Sequence, residues 1–376
     1  MAEGLEIDLA SVQFGPRPVI LLQAQEMRAS VFRYATGIEA LTITTPLGEA
    51  TFLPFKGQQV WDARFLGRRL TMRSMFEEPQ DTSDYLASYG AFLIHCGVTA
   101  MGGPGPGDTH PLHGELPNAR FQSARLLAGS DGQGSYLALA GTYWQARAFS
   151  HNYRFHVEVR LRPAASWLEV SVRVENLRSV PLDVMYLAHI NFLPVDGGRL
   201  LDTVADDGAG IHVRQDSPPG LPISEAHRRL LSDLAAAPSR HRQMVRGGRI
   251  DPEVVMLLSC EADAAGFAHG LQLHPEGGAD VVSYRPAELP VAVRWISRLG
   301  DQEALGLILP ATSGIDGYSA EKARGRVVTL PGGGTYSCQY RCGALDPAGA
   351  RALADEIARL KPGHRKVTEM GVHASP

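Results

Sequence analysis

The sequence predicts a mainly β protein, a large antiparallel β-sandwich carrying a few short helices. Forty glycines and 25 prolines cut the 376 residues into short segments. Between these breaks, apolar and polar side chains alternate with period two more often than they follow a helical period. Apolar residues at 44% and charged residues at 20% suffice to fill and solubilise a sizeable core. Disorder, collagen and coiled coil are excluded on the same numbers.

Strand candidates run in order along the chain: ALTITT (40–45), ATFLP (50–54), YLALAG (136–141), RFHVEVRL (154–161), WLEVSVRVEN (167–176), LDVMYLAHI (182–190), VVMLLSC (254–260), ALGLIL (304–309), RVVTL (326–330) and YSCQYRC (336–342). The clearest is WLEVSVRVEN, with Leu168, Val170, Val172 and Val174 on one face and Glu169, Ser171, Arg173 and Glu175 on the other. RFHVEVRL places Phe155, Val157 and Val159 on one side, and RPAAS between the two segments predicts a hairpin. In YSCQYRC, Tyr336, Cys338, Tyr340 and Cys342 share a face, which gives the two cysteines a packing role.

Two helices are expected. ISEAHRRLLSDLAAA has Ser224 as N-cap, an apolar stripe of Ala226, Leu230, Leu231 and Leu234, and a stop before Pro238. DPAGARALADEIARLKPG has Asp346 as cap, Pro347 in the first turn, and Leu353, Ile357 and Leu360 as stripe. Residues 1–345 therefore read as a single sandwich domain and 346–376 as a C-terminal helix and tail, weakly structured after Pro362.

The 36 basic side chains nearly balance 40 acidic ones, so a net charge of −4 draws the molecule toward neither nucleic acid nor anionic lipid. Cys96, Cys260, Cys338 and Cys342 are too sparse for a disulfide framework and lack zinc-type pairing. MAEGLEIDLA is acidic where an export signal would be basic, and the longest apolar runs fall far short of the ~20 residues that span a bilayer. A cytoplasmic protein without membrane or nucleic-acid partners is expected.

The segment 96–118, CGVTAMGGPGPGDTHPLHGELPN, is the longest without strand pattern, and long loops in compact domains commonly carry function. Its glycines lack the lysine and hydroxyl of a phosphate loop, and no Gly-x-Ser-x-Gly elbow occurs in the chain. Cys96 follows His95 directly, so in an extended strand the two point to opposite sides and do not form a nucleophile–base pair.

His95, His110 and His113 lie within 19 positions, and His189 closes MYLAHINF. An imidazole with a pKa near neutrality can lend and recover a proton at physiological pH, as general acid–base catalysis requires. A hydrogen-bonded structural role is the alternative for each, His95 and His110 above all.

The pieces HPLHGELPNARF, MYLAHINFLP, LPVAVRWISRLGDQEALGLILPAT and TLPGGGTYSCQYRCGAL, in that order, resemble the aldose 1-epimerase (galactose mutarotase-like) superfamily, and more closely its DUF4432-like bacterial branch. The resemblance extends over roughly residues 50–345 and implies a large β-sandwich with a sugar cleft. In that superfamily a Leu-His-Gly segment and a later His-x-Asn-Phe-like segment bring two histidines to the cleft; Leu112-His113-Gly114 and His189-Ile190-Asn191-Phe192 match them. The implied chemistry opens a cyclic sugar: a carboxylate takes the anomeric proton, a histidine protonates the ring oxygen, and reclosure after bond rotation gives the other anomer. No metal and no cofactor are implied.

One departure stands out. The superfamily carries its glutamate base on a late strand just before a proline, where GLILPAT places Leu309. Glu115 and Glu321 are the nearest replacements in sequence, and Asp108 is a third. If 113–117 is extended, Glu115 and His113 face the same way about 7 Å apart. Trp61 and Trp295 are candidate platforms for a sugar's C–H face, with core packing as the alternative. Arg64 and Arg73 are candidates for sugar hydroxyls or an anionic group, with a solvated surface as the alternative. His95, Asp108, His110 and Asn191 complete the expected substrate contacts.

Three functions remain open on the sequence. The first is a mutarotase acting on a small aldose or modified sugar, with His113 and His189 as acid and clamp. The second is a carbohydrate-binding or sensing protein that lost catalysis with the glutamate. The third is a metal-dependent lyase, hydrolase or isomerase using some of His95, His110, His113 and His189 with Asp108; His110-x-x-His113 has a chelating spacing but no helix to preform it. A small sugar is the expected partner, and a homodimer is left open.

Overall fold

The computed structural model describes residues 4–205, 208–216 and 223–361. Two large antiparallel sheets dominate it. A nine-stranded sheet runs Leu5–Asp8, Ser123–Asp131, Gly134–Arg147, His151–Leu161, Trp167–Asn176, Thr335–Leu345, Ala279–Tyr284, Ala268–Leu273 and Arg199–Asp202. A 13-stranded sheet includes, from one edge inward, Ile211–Val213, Ile250–Leu258, Val291–Arg298, Glu303–Ala311, Leu182–Ile190, Leu93–Val98 and Val60–Phe65. Their inner faces share one apolar core.

The alternating segments behave as period-two strands should. Leu168, Val170, Val172 and Val174 are buried, and the strand that holds them pairs antiparallel with its predecessor, Val157 opposite Val172. Burial of such a face removes roughly 1.5–3 kcal/mol of exposed apolar surface per large side chain. On the other side, Val172 lies opposite Cys338 and Leu168 opposite Cys342, so both cysteines are sheet-face residues buried in the core.

Both expected helices form. Ser224 caps Glu225–Ala236 by accepting the His227 N–H, but the buried stripe is His227, Leu231 and Leu234, and Ala226 is exposed. Asp346 caps Pro347–Leu360 through the Gly349 N–H. That helix packs Ala350 and Ile357 on Leu271, Ala279 and Val281 of the nine-stranded sheet. The tail after Pro362 lies outside the described residues. Among the described residues no helix is long and apolar enough to cross a membrane.

A charged network is sealed inside the sandwich. Asp202 receives Arg294 Nη1 and Arg242 Nη2, each at 2.8 Å, and Arg294 Nη1 lies 2.6 Å from His241 Nε2. Arg294 also donates to the Leu307 carbonyl, tying adjacent strands of the larger sheet to the end of the smaller. Burial opposes the Asp202 charge, yet the two guanidiniums hold its carboxyl below the usual aspartate range.

Candidate active site

His113 sits on the loop that follows Leu93–Val98, and the backbone fixes it tightly. Its N–H donates to the Gly102 carbonyl at 2.9 Å, and its carbonyl accepts from Gly97 N–H at 3.0 Å. The following Gly114 has φ +77°, and a Cβ there would lie 2.3 Å from the Ala100 carbonyl oxygen and 2.6 Å from that of Gly97. Only glycine lets the loop lie flat on the strand end, which is the physical content of Leu-His-Gly. His113 itself has φ +61°.

His189 comes from the neighbouring strand Leu182–Ile190, which pairs with Leu93–Val98 so that His189 lies opposite Ile94. The two imidazoles meet edge to face, with ring centroids 5.3 Å apart. Tyr85, Tyr89 and Trp295 enclose them. Tyr85 stands 5.0 Å from His113 and 6.3 Å from His189, Tyr89 stands 5.7 Å from His189, and Trp295 stands 5.4 Å from His189.

Asn191 orients this group. It is fully buried; its Oδ1 accepts from His189 Nδ1 at 2.7 Å and from the Tyr89 hydroxyl at 3.0 Å, while its Nδ2 donates to the Ala91 carbonyl at 3.0 Å. Donation by Nδ1 leaves the Nε2 lone pair of His189 free for a ligand. The His-x-Asn spacing places both side chains on one face of the chain.

The proton affinities differ from the sequence expectation of a near-neutral histidine. Burial lowers His189 to about 4, with the Asn191 bond working against it. Burial, then His189 and His110, push His113 well below the usual range. Both rings are therefore neutral at pH 7.

Glu253, on Ile250–Leu258, is the carboxylate that the sequence reading missed. Its Oε2 accepts the Trp295 indole N–H at 2.5 Å. Its charge also bears on the Tyr85 and Tyr89 hydroxyls. Burial raises its pKa, while Trp295, Arg214 and His227 act in the opposite direction. In sequence it directly precedes the strand segment VVMLLSC, where no local pattern marks it. Tyr85, also unforeseen, has a buried hydroxyl that meets no partner in hydrogen-bond geometry.

Outside Tyr85, a groove of about 640 Å³ is lined by Tyr85, Leu86, Leu112, Glu115, Asn118 and their neighbours. Glu115 does not pair with His113 as an extended segment would require. The left-handed His113 and Gly114 turn the chain, and the carboxylate accepts from the Thr99 N–H at 3.1 Å, the Thr99 hydroxyl at 2.9 Å and the Tyr153 hydroxyl.

The remaining candidates are placed elsewhere. Glu321 is fully buried and holds the Gly314 N–H at 3.0 Å and Arg324 at 2.8 Å, bracing the short helix Tyr318–Ala323. Asp108 binds the Ser319 hydroxyl at 2.5 Å and the Gly105 N–H at 3.1 Å, a loop-to-helix tie. His110 faces Asp108 at 3.7 Å and the Pro111 carbonyl at 2.8 Å.

His95 is sealed in the core, bonded to the Tyr186 hydroxyl at 2.8 Å, and burial lowers it to about 3. Trp61 is buried with its indole against Gly90, next to Tyr89. Arg64 is exposed beside Asp62, and Arg73 is exposed beside the Gly300 carbonyl and Glu303. Leu309 is buried in Glu303–Ala311 opposite Val293. Among the described residues no three His, Cys, Asp or Glu side chains converge as a metal-ligand set. Of the residues singled out in sequence, the structure gathers His113, His189, Asn191 and Trp295.

A family model described as a domain of unknown function, DUF4432, matches residues 35–343. The chain belongs to this family. The DUF4432 chain also resembles solved structures along most of its length. One is described as a putative aldose 1-epimerase from Klebsiella pneumoniae, with TM-score 0.77, 18% identity and 96% of this chain covering 97% of that one. Another is a galactose mutarotase-like protein from Clostridium acetobutylicum, with TM-score 0.58, 14% identity and coverage of 86% and 100%. A third is the GalM/aldose epimerase homologue from C. elegans, with TM-score 0.50, 12% identity and coverage of 81% and 97%. At these identities the likeness shows the fold alone: this DUF4432 protein has a galactose mutarotase-like fold. A search of curated proteins finds no match.

Proposed function

We propose that this DUF4432 protein is a cofactor-independent mutarotase that interconverts the anomers of a small aldose or modified sugar. The observation that carries this reading is the meeting of His113 and His189, 76 positions apart in the chain, at 5.3 Å inside a shell of aromatic rings. Aromatic faces suit the C–H faces of a sugar, and a free imidazole lone pair suits a hydroxyl proton. Opening a hemiacetal needs only one proton removed from the anomeric oxygen and one supplied to the ring oxygen, within the range of acid–base catalysis by two positioned groups.

A second reading has a specific observation in its favour. The late strand offers buried Leu309 where a glutamate base is expected, which suits a sugar-binding protein without catalysis. NMR exchange spectroscopy on a panel of aldoses, sugar phosphates and uronic acids separates the two. Faster α/β exchange with at least one sugar, lost in His113→Ala and His189→Ala, supports the mutarotase. Calorimetric binding with no acceleration supports the binding protein, and neither binding nor acceleration across the panel ends both.

A further inference from the structure

Resting on the mutarotase reading, the superfamily's glutamate position is occupied by a hydrocarbon, and Glu115, Glu321 and Asp108 are each consumed by neighbouring backbone and side-chain donors. Glu253 differs from all three. Its carboxylate accepts the indole N–H of Trp295, the ring that flanks His189 at 5.4 Å and Tyr89 at 6.0 Å. Trp295 thus touches the imidazole with its ring and holds the carboxylate by its edge. The two strands are paired, with Val255 opposite Trp295, so this placement follows from sheet register. On its other side Glu253 borders a small cavity with Arg214, Asp216, His227 and Leu231.

We propose that Glu253 is the carboxyl group of the reaction, exchanging a proton with the ring oxygen of the sugar opposite the imidazole pair and supplying the carboxyl that Leu309 cannot provide. The step balances with two proton transfers, one from the sugar to His189 and one from Glu253 to the sugar. In one direction His189 Nε2 takes the proton of the anomeric hydroxyl, and the C1–O1 double bond forms as the C1–O5 bond breaks; the electron pair of that bond goes to O5, which takes the proton of the Glu253 carboxyl group. Rotation about C1–C2 and the reverse transfers close the ring as the other anomer. Nothing is oxidised or reduced. This direction starts from a neutral His189 imidazole, which burial favours, and from a protonated Glu253, the form toward which burial shifts that group.

The test is Glu253→Gln, with Glu253→Ala in parallel, on a sugar that the wild-type protein turns over. A loss of at least ~100-fold in kcat with KM within a few-fold, and partial recovery of the Ala variant by added formate, is the expected result. A kcat within a few-fold of wild type in folded Glu253→Gln overturns the assignment while leaving the mutarotase reading intact. A wild-type protein that accelerates no sugar overturns that reading, and the assignment with it.

Trp295→Phe is the second variant. It removes the donor that favours the carboxylate, so the limb of the pH–rate profile assigned to Glu253 moves to higher pH. The other groups facing Glu253, namely Arg214, Asp216, His227, Tyr85 and Tyr89, stay in place. An unmoved limb in Trp295→Phe counts against Glu253 as the titrating group, even if Glu253→Gln fails to fold.

Discussion

Acid should unfold this protein through its buried histidines. Burial is the main cause that holds His95 and His241 down to about 3 and His189 to about 4; it also holds His113 well below the usual range, with help from His189 and His110. In the unfolded chain each imidazole titrates near ~6.5. A depressed folded-state pKa contributes stability that is complete above the unfolded value and is lost as pH falls toward the folded one, here from ~6.5 down to about 4 or 3.

Between pH 7 and pH 5 each of His95, His189 and His241 therefore costs about 2 kcal/mol, and the three together about 6 kcal/mol, with His113 acting in the same direction, against a typical total of ~5–15 kcal/mol. Glu253 has the opposite sign: its raised folded pKa gives back part of the loss as pH falls. Asp202 does not contribute in this window, because its depressed carboxyl loses stability only below the aspartate range.

Urea unfolding at fixed ionic strength, in steps across this range, measures the slope. His95→Phe isolates one proton. Its Nδ1 bond to Tyr186 is lost, but Tyr186 keeps the Tyr340 hydroxyl at 3.0 Å, and the unpartnered buried Nε2 disappears. The variant should lie within about 1 kcal/mol of wild type at pH 7 and lose about 2 kcal/mol less on going to pH 5. Parallel slopes for the two proteins, or stability that stays flat across the window, would refute the reasoning.

Other perturbations test the site and its frame. Asn191→Ala leaves His189 Nδ1, the Tyr89 hydroxyl and the Ala91 carbonyl without partners. It should cost about 3 kcal/mol in urea unfolding at ~1 kcal/mol per bond and lower kcat more than KM, because His189 is no longer pinned. Gly114→Ala drives a methyl into the Ala100 and Gly97 carbonyl oxygens at a left-handed position. It should cost about 2–4 kcal/mol, and its shift of His113 should appear in the imidazole NMR signals. Asp202→Ala removes the carboxylate from buried Arg294 and from Arg242 and should cost about 3–5 kcal/mol, whereas an apolar replacement of the whole group should cost much less.

Much of the sandwich was legible because a strand with one wet face writes its geometry into every second residue. WLEVSVRVEN and LDVMYLAHI appear in the structure with the bounds expected of them. Strands buried on both faces were less legible. Leu93–Val98 is buried at every position and shows no alternation, so a core strand that supports His113 went unrecognised in the sequence.

Local chemistry also carried through where it was self-contained: Ser224 and Asp346 cap their helices within four residues of chain. The Leu-His-Gly and His-x-Asn segments gave two imidazoles and the amide that orients one of them. The surroundings of the carboxylates were not legible for a physical reason. Sequence distance from His113 favoured Glu115, but two left-handed residues turn its side chain to Thr99 and Tyr153. Glu253 becomes visible only when strand pairing sets Val255 opposite Trp295 and the indole closes on the carboxylate.

The amino-acid order by itself determined the alternation of the strands, the helix caps and the presence of two histidines in suitable segments, since each depends on neighbours a few bonds away. Tertiary structure alone decided which carboxyl binds the indole that flanks the imidazoles and how strongly each group holds its proton. Those properties arise from register between strands remote in the chain and from the water that their packing excludes.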